Sequence, residues 1–201
     1  MSTLTAPPRA GAADHSEVVA ARGEMPDRAR RVVAAALLLF AVYVSLSLFN
    51  DPRATMVTDT GGKIATLRAM QHNGGLDPDV HYWAAKWDPD GRLHGLFYTS
   101  RVGDKWVNAT TVTMLDVAEP LYAVGGIRAA LILPMLGSVL AALAARALAR
   151  RMGAGRSGGW LAFRCVGLAS PLAVYALDLW EHSIGAALML WAVVFAFDVV
   201  D

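Results

Sequence analysis

The sequence predicts an all-α polytopic membrane protein of about four transmembrane helices, with a small extracytoplasmic loop domain containing a β-meander. Three observations carry that reading. Hydrophobic residues make up 55% of the 201 positions and charged residues only 17%, against roughly 45–50% and 25% in soluble domains. Four long runs are apolar and nearly free of charge. A polar segment, 50–120, separates the first run from the other three and holds nine acidic and seven basic side chains. Such a composition excludes a disordered chain. The single cysteine, Cys165, excludes an intrachain disulfide framework, and no Cys/His zinc spacing is present.

Residues 1–31 are rich in Ala, Arg, Pro and Gly and read as a disordered cytosolic tail ending in Arg28, Arg30 and Arg31. The first span is 32–49, without one charge. Arginines before it and Asn50-Asp51-Pro52 after it predict a cytoplasmic N-terminus. A cleaved signal peptide competes, because Ser45-Leu-Ser47 loosely resembles a small-x-small site; further spans favour an uncleaved anchor. In the loop, Ile64, Leu67 and Met70 have helical spacing and predict a short amphipathic helix from about Asp59. HYWAAKW, RLHGLFYTSRV and KWVNATTV, parted by Asp-Pro-Asp-Gly and Gly-Asp turns, predict three strands. Further spans are expected at 127–148, 160–177 and 183–200, with arginines at 146, 150, 151 and 156 clustered at the inner end of the second. This pattern places both termini in the cytoplasm and the long loop outside a plasma membrane. The chain also reads as the N-terminal part of a longer polytopic protein.

Several residues carry candidate chemistry. Asp59 opens the amphipathic helix, where a carboxylate suits proton acceptance from a hydroxyl and equally suits an N-cap. Lys63, one turn on, and Arg128, at the outer end of the second span, are candidates for holding a phosphate. Gly61-Gly62-Lys63 is not a phosphate loop, lacking the upstream glycine and a following Ser or Thr. Asp77-Pro-Asp79 and Asp88-Pro-Asp90 have the spacing of a divalent-cation carboxylate pair, and both also fit turns. Asp77 and Asp79 are the better candidate ligands. His72, His81 and His94 have no ligand spacing, and Asn108-Ala-Thr110 is a formal glycosylation sequon. Asp178, Glu181 and His182 crowd a short turn between apolar runs, where ionisable groups face water or a site.

An inside tail, one span, a long outer loop with Asp59 near its start, and several later spans together resemble the GT-C superfamily of polytopic glycosyltransferases. Pro171-Leu-Ala-Val-Tyr175 followed by Leu179-Trp180-Glu181-His182-Ser183 is similar to a short outer-turn pattern of bacterial mannosyltransferase-like membrane proteins. The resemblance implies a sugar donor carried on polyprenyl phosphate, with Asp59 acting on the acceptor and Glu181 and His182 lining the same cavity. Asp178, Lys63 and Arg128 would then bind substrate. The family usually carries more spans, and a second acid often follows the first where Thr60 stands here. Membrane lipids and a lipid-linked sugar are the expected partners, and no nucleic acid is. The alternative is a non-catalytic membrane protein whose outer loop binds an envelope partner protein.

Overall fold

A computed structural model describes residues 15–51, 58–92, 98–109 and 112–200. Among these the protein is mostly helical: α1 (His15–Phe49), α2 (Thr58–Asn73), α3 (Val112–Ala130), α4 (Ile132–Arg151), α5 (Arg156–Leu168), α6 (Pro171–Tyr175) and α7 (His182–Val200). One antiparallel hairpin, β1 (Thr99–Val102) and β2 (Lys105–Asn108), completes the inventory. The chain divides into two compact units, Met1–Leu38 and Leu39–Asp201. In the first, α1 already begins at His15, so residues 15–31 are helical rather than disordered. Alanine, arginine and glutamate are good helix formers, and that explains the difference. Val33, Leu37 and Leu38 stand exposed on this helix.

In the second unit, α1 buries one stripe at i, i+4, i+8: Leu39, Tyr43 and Ser47. Tyr43 donates its hydroxyl to the Gly167 carbonyl at 2.5 Å. Leu39 packs where a Cβ on Gly167 would sit. α4 is the central helix, packing against both α5 and α7. Its contact face is small: Gly137, Ser138, Ala141, Ala142 and Ala144 are buried. Small residues let backbones approach closely, as in membrane helix pairs. A Cβ on Gly137 would lie 2.7 Å from the Ile184 amide nitrogen.

Among the described residues two helices, Ala29–Phe49 and Ile132–Arg151, are long and apolar enough to cross a membrane; four were expected. The second span starts later than 127 because Gly125 and Gly126 leave helical geometry and kink α3. Pro134 falls in the first turn of α4, where no amide donor is needed. The run 160–177 is not one helix. Ser170 precedes Pro171, a position barred from helical backbone, and adopts φ −126°, ψ 166° while its hydroxyl caps the Leu172 amide. α5, with 13 residues, reaches only about 20 Å at 1.5 Å per residue. α7 (19 residues) forms where 183–200 was expected, and the apolar helix described there runs His182–Phe197.

The loop also departs from the meander, in that the described strands number two. HYWAAKW curls into consecutive turns, with Ala85 N–H donating to Tyr82 and Trp87 N–H to Ala84. Asp88 holds the curl from below, accepting from the Tyr82 hydroxyl at 3.0 Å and the Arg92 amide at 2.9 Å. Burial and the Asp88 carboxylate together push the Tyr82 hydroxyl above its ordinary pKa. Gly91 N–H closes the Asp-Pro-Asp-Gly turn on the Asp88 carbonyl. Tyr82 and Trp106 pack at 4.8 Å with Ala84 and Val80 into a small core. Trp83, Trp87 and Tyr98 remain exposed, so the loop's aromatics do not pack as one group. Residues 93–97, including Phe97 and His94, lie outside the described residues.

Candidate functional site

The site begins with the periodicity of α2. Ile64, Leu67 and Met70 are all buried, so the neighbouring positions Thr60, Lys63 and Thr66 are drawn inward with them. Gly62 leaves room for the Asn108 side chain of β2, which a Cβ there would overlap. A buried lysine needs paired acceptors. Lys63, fully buried, finds two: Asp59 Oδ2 at 2.7 Å and Glu181 Oε2 at 2.5 Å. The first partner is the i−4 neighbour on the same helix. The second is 118 residues away, in the turn entering α7.

A second link ties the same two segments. The Thr60 hydroxyl donates to Asp178 Oδ1 at 2.7 Å and accepts from the Trp180 indole N–H at 3.0 Å. Asp178 Oδ1 also accepts from the Leu179 amide. Trp180 stacks on Tyr175 with ring centroids 5.2 Å apart, and His182 lies 5.1 Å from Tyr175 and 5.0 Å from Trp180. Asp59 and Glu181 keep 33% and 35% of their side chains exposed, which leaves both open to a ligand from the solvent side. Glu181 also lines an apolar groove of about 580 Å³ between α3, α4 and α7, whose other walls include Met114, Leu133, Leu136 and Ile184.

Electrostatics narrows what the cluster can hold. One buried ammonium faces two carboxylates, and Asp178 stands in the separate link through Thr60. The partly exposed carboxylate oxygens of Asp59 and Glu181 are acceptors suited to hydroxyl donors. Lys63 has its charge taken up by protein carboxylates.

The structure brings Asp59, Lys63, Asp178 and Glu181 together and sets His182 beside them through Trp180. It does not bring Arg128: the guanidinium donates to the Ser47 carbonyl at 2.5 Å and the Asn50 carbonyl at 3.4 Å, capping the end of α1. Asp59 stands inside the first turn of α2 rather than before it as an N-cap. Asp77 and Asp79 serve as loop ties: Asp77 pairs with Lys105 at 2.9 Å, and Asp79 Oδ1 accepts from the His81 and Trp106 amides. Among the described residues no group of three or more His, Cys, Asp or Glu could hold a metal ion. Asn108 of the sequon is 5% exposed against Gly62, and Thr110 lies outside the described residues. Sequence reasoning assigned no site role to Thr60 and read Trp180 only as an indole at headgroup level; the two join the segments. The signal for Thr60 was its place one turn before Ile64 on the buried face. No family model, curated protein or solved structure matches the chain.

Proposed function

We propose that this chain is a multi-pass membrane glycosyltransferase, or the acceptor-side portion of one, that transfers a sugar from a polyprenyl-phosphate donor at the outer face of the plasma membrane. The observation that carries the reading is the pair Asp59 and Glu181, sharing buried Lys63 at the end of an apolar groove. Asp59 is the general base. It takes the proton of the acceptor hydroxyl as that oxygen attacks the anomeric carbon; the carbon–phosphate oxygen bond breaks and the lipid phosphate departs. Lys63 and Glu181 hold the carboxylate in place. The partly exposed carboxylate oxygens favour an acceptor rich in hydroxyls, and the Lys63 ammonium is already engaged by Asp59 and Glu181.

The same contact supports the multi-pass reading. Asp59 follows the first span, and Glu181 meets it after the chain has descended α4 to Arg151. The chain must therefore regain the Asp59 face between 152 and 181, and α5 with α6 forms that broken return. The N-terminus lies in the cytoplasm in this arrangement. Asp59→Asn tests the catalytic role: asparagine keeps the shape and cannot take the proton. Sugar transfer from a polyprenyl-phosphate donor in membranes should fall about 10²–10⁴-fold with expression unchanged. Full transfer activity in Asp59→Asn overturns the assignment.

A second reading is favoured by Trp83 and Trp87, which are 66% and 72% exposed in the loop. Such side chains suit docking to an envelope partner protein, and the protein is then not an enzyme. Retained transfer in a Trp83→Ala/Trp87→Ala variant, with Asp59→Asn inactive, decides for catalysis.

A further inference from the structure

The far end of α4 carries a different cluster. Residues 120–177 contain six arginines and not one Asp or Glu. Three of these arginines converge where α4 meets α5. The stems of Arg146 and Arg150 pack over Gly159, within 3.0–3.5 Å of where its Cβ would be. The Arg146 guanidinium lies 4.6 Å from the Trp160 ring centroid, held there by cation–π attraction. Its Nε is buried and has no hydrogen-bond partner. Arg150 and Arg156 are near enough to act on its charge. Among the described residues no carboxylate pairs with Arg146, Arg150 or Arg156.

Three like charges gathered with no carboxylate partner among the described residues repel one another, and the fold positions them anyway. A guanidinium fork matches phosphate oxygens in a bidentate way that water does not. The cluster also sits at the end of the Ile132–Arg151 span, beside an indole of the kind that lies at headgroup depth. We propose that Arg146, Arg150 and Arg156 form a binding site for a phosphate group, presented by the headgroup of an anionic membrane lipid. Arg146, fixed on Trp160, orients the phosphate; exposed Arg150 and Arg156 close on it from the solvent side.

The test uses the full chain purified in mild detergent, with phosphatidylglycerol or phosphatidylcholine added and bound lipid followed by native mass spectrometry. Phosphatidylglycerol should be retained preferentially. Arg150→Gln/Arg156→Gln changes only exposed side chains, so it keeps the fold; it should weaken retention about thirtyfold, near fivefold per arginine. Arg101→Gln, in the hairpin, should leave retention unchanged. Equal retention by the double variant and the unaltered protein overturns the site. Displacement of phosphatidylglycerol by millimolar inorganic phosphate would keep the site and overturn the lipid as its source; failure to displace it supports the lipid.

Discussion

Replacing Lys63 with methionine removes the charge and keeps much of the stem, leaving Asp59 and Glu181 facing one another. Both oxygens now touch the same ammonium at 2.7 and 2.5 Å, so they lie at most about 5 Å apart. Two negative charges at that distance repel by about 1 kcal/mol in bulk water and about 3 kcal/mol at an effective dielectric constant of 20. Stranding a charge after its buried partner is removed costs about 3–5 kcal/mol. Here the carboxylates are a third exposed and rehydrate, which brings the net loss to about 2–3 kcal/mol. At about 2–4 °C per kcal/mol for a chain of this size, the melting temperature in detergent at pH 7.5 should fall by about 5–10 °C. One further measurement isolates the cause. The triple variant Lys63→Met/Asp59→Asn/Glu181→Gln, with no charge left to strand, should regain most of the loss. A melting temperature within about 1 °C of the unaltered protein at pH 7.5 would refute the buried ion-pair reasoning.

Gly91 has φ +63° and lies under the Trp106 ring, which an added Cβ would strike. Gly91→Ala should therefore destabilise the loop core by about 1–3 kcal/mol, read as faster amide exchange at Val80 and Trp106. Hydrogen bonding to Lys105 holds the Asp77 carboxyl below its ordinary 3.8, and the same bond holds Lys105 above its ordinary 10.5. A lowered acid stabilises the fold above its unfolded value and loses that contribution as pH falls through the folded one. A raised base contributes below its unfolded value and loses it as pH rises through the folded one. The Asp77–Lys105 tie should thus be complete between about pH 4 and 10 and fail on either side, as loop amide exchange at several pH values will show. Ser170→Ala removes the hydroxyl that caps α6 and should lower thermal stability by about 1 kcal/mol. In a Cys165→Ser background, an impermeant maleimide applied from outside should label Asp104→Cys and spare Gly155→Cys; the reverse pattern refutes the proposed orientation.

The first apolar helix was legible because a run of eighteen uncharged, mostly apolar residues has one cheap solution, a helix with its backbone bonds made internally. The inward face of α2 was equally legible, since Ile64, Leu67 and Met70 recur at i, i+3 and i+6, near one helical turn apart, whatever they pack against. The i, i+4 proximity of Asp59 and Lys63 belongs to the same class of local geometry. The breaks at Gly125-Gly126 and Ser170-Pro171 were written in the sequence too, but uniform apolar composition hid them. A window that averages hydropathy gives a proline's missing donor no weight. What the tertiary structure alone decided is the pairing of distant groups. The sequence reading put Glu181 and Arg128 alike beside Asp59; nothing local says that only Glu181 joins it through Lys63, or that Thr60 bridges Asp178 and Trp180. Those contacts follow from the close approach of α4 to α5 and α7 through Gly137, Ala141 and Ala142, and from Gly62 admitting Asn108. Local periodicity determines which face of a helix is buried; the small residues at helix contacts decide which distant side chains meet.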